Sequence, residues 1–166
     1  NILKTNLAIS LSKNKSEVLD FALGDEDGEF DLYVPKHNWG GAFIKHGNDY
    51  SEEVLGKKDG FKGINADNYI VNKVKIVNSE VAFNDLFASI LDENLCNGVI
   101  KIDVEGFERK VLLAIANTLP PSLNVAIVFE NWHPSFDLIE IKNAFKNRSV
   151  SFLKFKRSII GTNKSK

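Results

Sequence analysis

Val99-Ile-Lys-Ile-Asp-Val-Glu-Gly-Phe-Glu108 is the stretch on which the reading of this chain turns. Its first six residues are apolar enough for an interior β-strand. Lys101 and Asp103 share one parity, so both side chains point to one side of that strand. Gly106 permits a sharp exit from it. Beyond the glycine, Phe107, Val111, Ile115 and Leu119 recur at helical spacing until Pro120-Pro121 ends the helix. Glu108 falls in the first helical turn, where the dipole favours negative charge, so a structural role explains it as well as a chemical one. Asp103 and Glu105 are less easily dismissed, because carboxylates beside a buried strand are costly unless paired or used.

Downstream, Val125-Ala-Ile-Val-Phe129 is a near-continuous apolar run, as in a parallel strand covered on both faces. Ser135 can cap a helix in which Leu138, Ile141 and Phe145 share a face, and Ser151 to Arg157 reads as a last strand. Upstream, Asn1 to Leu11 reads as the end of a helix, and Val18 to Leu23 as a strand stopped by Gly24. Asp25-Glu-Asp27-Gly28 is hairpin-turn chemistry, and Glu29 to Val34 alternates as a half-buried strand ended by Pro35. From Lys36 to Asn72 the chain is rich in Gly, Asn and Lys without sustained period, a long loop of the kind that is functional or mobile. Lys73 to Val77 resumes as a strand. Phe83 to Leu91 reads as a short helix that Asn84 or Asp85 can cap. Alternating strands and helices predict one α/β domain over residues 1–166, with a doubly wound, mostly parallel sheet and flanking helices.

In such sheets ligands sit outside the carboxyl ends of the strands. Three strand ends therefore matter: Ala22-Leu-Gly-Asp25, Asp103-Val-Glu105, and Glu130-Asn131-Trp132-His133. Several acids meeting at one rim suit metal binding, hydroxyl recognition or proton abstraction.

Composition narrows the choice. A hydrophobic share of 43% is enough for a real core, and the net charge of -1 gives no general pull toward nucleic acid or acidic membranes. Lysine far outnumbers arginine, a bias read as genome composition. The lone Cys96 can form neither a disulfide framework nor a thiolate zinc site within the chain. With no secretory signal pattern and no apolar run long enough for a membrane span, a reducing, cytoplasmic setting is expected. His37 and His46 lack a third ligand at a recognised zinc spacing. In the acidic run Asp25 to Asp31, Gly28 comes too early for a calcium loop, and a hairpin explains the run better. Lys154, Lys156 and Arg157 around Phe152 and Phe155 read as a charged edge strand, not a nucleic-acid surface.

The Val99–Glu108 segment resembles the signature strand and turn of FkbM-type methyltransferases. The resemblance extends through Asn6, Phe21-Ala-Leu-Gly-Asp-Glu-Asp-Gly28, Leu32-Tyr33-Val34, Asn38-Trp-Gly-Gly-Ala42, Phe83-Asn-Asp-Leu86 and Val128-Phe-Glu130, in the family's order. It implies a Rossmann-like methyltransferase fold with a β-hairpin insertion. It also implies S-adenosylmethionine as cofactor and methylation of hydroxyls on sugars or secondary metabolites. By that likeness Ala22 and Leu23 lie near the adenine and Asp103 near the donor or acceptor. Glu105, Glu130 and His133 then face the acceptor pocket, with Asn131 beside them in substrate binding. Asp103 or His133 is the candidate base, no metal is expected, and the partner is a small molecule or glycan.

One departure stands out. The family's glycine-rich donor turn, and its acid for the ribose hydroxyls, should precede Asn1, and Gly40-Gly41 does not replace them because it follows no strand and opens no helix. The domain is thus expected to be incomplete at its N-terminus and to bind the donor poorly by itself. The rival expectation is a non-catalytic α/β binding or assembly domain.

Overall fold

The computed structural model describes residues 17–58, 60, 64–130, 136–146 and 148–153. The architecture is mixed α/β. Strands β1 (Ala22–Gly24), β2 (Gly28–Pro35), β3 (Phe43–Ile44) and β4 (Tyr69–Asn78) form one sheet in the order β1-β4-β2-β3, while β5 (Asn97–Ile102) and β6 (Asn124–Phe129) form a separate pair. Among the described residues the α-helices are α1 (Glu52–Lys58), α2 (Ser79–Asp92), α3 (Glu108–Thr118) and α4 (Leu138–Ala144).

The expected mostly parallel sheet is met only in part. The β1–β4 and β5–β6 pairings are parallel, but β2 runs antiparallel to both β3 and β4. Nor do β1 and β2 form a hairpin with each other. Ala22 and Gly28 both pair with Ile76, from opposite sides of β4, so the acidic run steps across the end of that strand. The carboxylate of Asp27 accepts from the Asn78 amide at 2.7 Å, and the Asp25 carbonyl accepts from the Asn78 side chain at 2.8 Å. β4 runs antiparallel beside β2 through a ladder of eight residue pairs.

Residues 36–72 are not one open loop. They hold a 3-10 turn at Trp39–Gly41, β3, α1 and the start of β4. Phe43, Tyr50, Leu55 and Tyr69 bury themselves there as a second, small core. Tyr33 stacks on Phe43 with ring centres 5.5 Å apart, and Tyr69 meets Phe43 edge-on at 5.6 Å. Isolated aromatics, not a regular period, order this region.

The main core joins both sheets to the helices. Ile76 and Ile102 from the strands meet Phe83, Phe87, Val111, Ile115 and Ile141 from α2, α3 and α4, and Phe145 just past α4. The expected helical face of Phe107, Val111, Ile115 and Leu119 is buried throughout, and so are Ile141 and Phe145, although Leu138 is exposed. Helix α2 starts earlier than expected, at Ser79. Its cap is Asn78, which accepts from the amides of Glu80 and Val81, and not Asn84 or Asp85. Ser79 then donates from its hydroxyl to the Gly24 carbonyl at 2.7 Å, tying α2 to β1. Asp137 caps α4; Ser135 lies outside the described residues, as do the Asn1–Leu11 segment and most of the expected last strand.

Two guanidinium groups fasten the helices. Arg109 grips Glu140 with both arms, Nε at 2.8 Å, joining α3 to α4. That contact raises the Arg109 pKa and lowers that of Glu140, chiefly through the shared hydrogen bonds. Arg148 gathers the carbonyls of Leu119, Pro120 and Leu123 at the far end of α3. Among the described residues the β5–β6 pair is covered on one face: Ile100, Ile102, Val125, Ile127 and Phe129 turn to the core, whereas Val99 on the other face is 75% exposed. Full coverage of these strands was expected, but α2, α3 and α4 all contribute to the core on the same side.

Candidate active site

Strand β5 leaves the sheet through Asp103 to Phe107 before α3 begins. Two successive residues in this turn adopt left-handed backbone, Glu105 at φ 42° and Gly106 at φ 95°. Glycine takes such a conformation freely, while a residue with a side chain costs on the order of 1 kcal/mol or more and needs its surroundings to hold it. Glu108 closes the turn. It is only 4% exposed, and its carboxylate accepts from the Gly106 amide at 3.0 Å, so the structural role of a helix-start acid is realised.

The surroundings that hold Glu105 come from the other sheet. The Asn48 side chain donates to the carbonyls of Glu105 and Ile44, each at 2.8 Å, and accepts from the Tyr50 amide at 2.8 Å. The amide of Asp49 adds a bond to the Gly106 carbonyl at 3.0 Å. Lys110, in the first turn of α3, donates to the Gly47 carbonyl at 2.6 Å and to the Asp25 carboxylate at 2.7 Å, just past β1. That lysine contact holds the Asp25 carboxyl below its ordinary pKa. The ends of β1 and β5 therefore lie at one rim, bridged by residues 44–50.

The end of β6 joins them. Ile102 pairs with Phe129 in parallel register, so Asp103 and Glu130 leave neighbouring strands on the same edge. Asp103 is exposed and paired with Lys101 at 2.5 Å, as their shared parity predicted. Glu105 is half-buried and Glu130 exposed. Ala22 and Leu23 are half-buried in β1 and pack against the main core. Asn131 and His133 lie outside the described residues. Sequence reasoning missed Asn48, Asp49 and Lys110. The one signal was the length of the 36–72 segment.

Other charged groups of the four-stranded sheet and its loops are occupied elsewhere. His46 pairs with Glu26 at 2.6 Å and stacks on Phe30, and Asp31 pairs with Lys73 at 2.7 Å. Among the described residues no group of three or more His, Cys, Asp or Glu side chains is placed to hold a metal ion. No described helix is long and apolar enough to cross a membrane.

The domain is thus mixed α/β, with acids at a shared strand-end rim beside a strand–turn–helix unit. The comparison with known families is sharper. The model of the methyltransferase FkbM domain matches residues 2–154, and the chain belongs to that family. No curated protein and no solved structure gives a significant match.

A methyl donor of the S-adenosylmethionine type needs backbone amides and an acid to cradle its methionine and ribose. The described residues do not complete that cradle. At the strand-to-helix turn of this rim the Gly106 amide is already taken by Glu108, and Gly40 and Gly41 lie in the 3-10 turn between β2 and β3.

Proposed function

We propose that this chain carries the acceptor side of an S-adenosylmethionine-dependent methyltransferase acting on oxygen, with a hydroxyl of a saccharide or secondary metabolite as acceptor. Membership of the FkbM family supports methyl transfer. What supports the acceptor reading is the register that lets Asp103 and Glu130 leave neighbouring strands at one edge, with Glu105 two residues beyond Asp103 in the turn. O-methylation asks for little chemistry: align the acceptor oxygen, remove its proton and exclude water. In this reading Asp103, held by the Lys101 ammonium, takes the proton, and Glu105 and Glu130 accept hydrogen bonds from neighbouring hydroxyls. His133 is the alternative base, with Asn131 on the substrate and Ala22 and Leu23 bordering the donor.

The test is transfer of labelled methyl groups by the full-length protein to a panel of mono- and disaccharides. Asp103→Asn is expected to slow transfer by about 100- to 10,000-fold, the usual worth of a positioned base. Its melting temperature should stay near that of the unaltered protein, because the Lys101–Asp103 pair is exposed. Undiminished transfer by Asp103→Asn together with loss in His133→Ala moves the base to His133.

The alternative reading is a non-catalytic binding or assembly domain. Calorimetry of the full-length protein with S-adenosylmethionine separates the two: binding supports the enzyme, and its absence supports the rival.

A further inference from the structure

The geometry points to Asn48 as a positioning residue that locks Glu105 in its left-handed conformation and thereby sets the aim of the acids at the rim. Insofar as it concerns methyl transfer, this rests on the reading proposed above. Three observations carry it. Glu105 is one of two non-glycine residues with positive φ among the described residues, and the other, Asn94, is of a type that tolerates that region. A glutamate gains nothing from it locally, so the conformation persists only where neighbours over-determine it. The neighbour is Asn48, whose amide nitrogen donates to the Glu105 carbonyl and, on the far side, to the Ile44 carbonyl, while its oxygen is fixed by the Tyr50 amide. All three bonds are 2.8 Å long, so this side chain has no slack.

The third observation is the fit of the glycine. A Cβ added at Gly106 would stand 2.0 Å from the Asn48 Oδ1 and 2.8 Å from its Cγ, so the missing side chain at 106 is the space that Asn48 fills. Asn48 and Gly106 are thus two halves of one joint, 58 residues apart in sequence, that couples the four-stranded sheet to the rim. An acid carried on a freely rotating turn would lose its alignment, and small misplacements at a reacting centre are costly.

Asn48→Ala and Asn48→Asp test this in the full-length protein. The aspartate keeps the acceptor for Tyr50 but turns an oxygen toward two carbonyls, so it isolates the donating half. In both variants the backbone resonances of Glu105 and Gly106 should shift. Methyl transfer per folded molecule, on a saccharide from the panel, should fall about 10- to 100-fold, with S-adenosylmethionine binding unchanged. Gly106→Ala should do markedly less further damage in the Asn48→Ala background than alone, because the clashing amide is gone. Unmoved resonances overturn the proposal whatever the assay shows, and moved resonances with unchanged kcat and KM overturn it as well. A full-length protein that methylates nothing in the panel counts against the O-methyltransferase reading alone, and the resonances then decide on Asn48 by themselves.

Discussion

The two sheets of this protein are supported in opposite ways. In the four-stranded sheet, Phe30 and Leu32 of β2 pack against the main core while Tyr33 packs into the aromatic cluster. Among the described residues the β5–β6 pair has one covered face; its other face presents Val99 and Lys101, with Asp103 just past the strand. The candidate chemistry sits on the barer pair, and its turn is held by a loop lent from the better-covered sheet. Support and reactivity are thus divided between two parts of the chain, with residues 44–50 as the link.

That division can be broken or sharpened by substitution. Phe43→Ala, in the aromatic cluster, should cost about 3–5 kcal/mol of stability in denaturant unfolding, the usual loss for a buried ring. A cost near zero would mean that the small core supports nothing. Gly106→Ala combines a forbidden backbone conformation with the contact to Asn48 and should cost about 2–3 kcal/mol by the same measurement. Asn78→Ala removes the cap of α2 and should lower stability by about 1 kcal/mol.

A smaller effect is expected in acid. Lys110 donates to Asp25 and lowers its pKa, so the folded state releases that proton more readily than the unfolded chain does. The contribution is present in full above the unfolded value and is lost as the pH falls through the folded one. Unfolding curves below about pH 4 should therefore fall less steeply for Asp25→Asn than for the unaltered protein, with parallel curves near neutrality. Smallest of all, Val99→Thr on the bare face should change stability by less than about 0.5 kcal/mol. A large loss there would show that this face is covered in solution.

What could be read from the sequence was local. The strand, glycine and helix from Val99 to Leu119 carried their own period, and the parity of Lys101 and Asp103 placed both on one side. Strand order was not legible, because β4 slips between β1 and β2 and no residue near Asp25 announces a partner fifty positions away. Asn48 was hidden for the same reason. It is one asparagine among many in an aperiodic segment, and its meaning depends on the absence of a Cβ at Gly106. The start of α2 was misplaced because Asn78 belongs to both a strand and a cap.

The arginines show what a lysine cannot do. The chain carries 18 lysines and 3 arginines. Both arginines among the described residues stand where one side chain must reach several oxygens at once, Arg109 on the Glu140 carboxylate and Arg148 on three backbone carbonyls. A flat, forked cation does this, and a single ammonium on a flexible stem does not. Positions 109 and 148 are therefore where exchange of one basic residue for the other would be least tolerated in a chain whose other described positive charges are lysines.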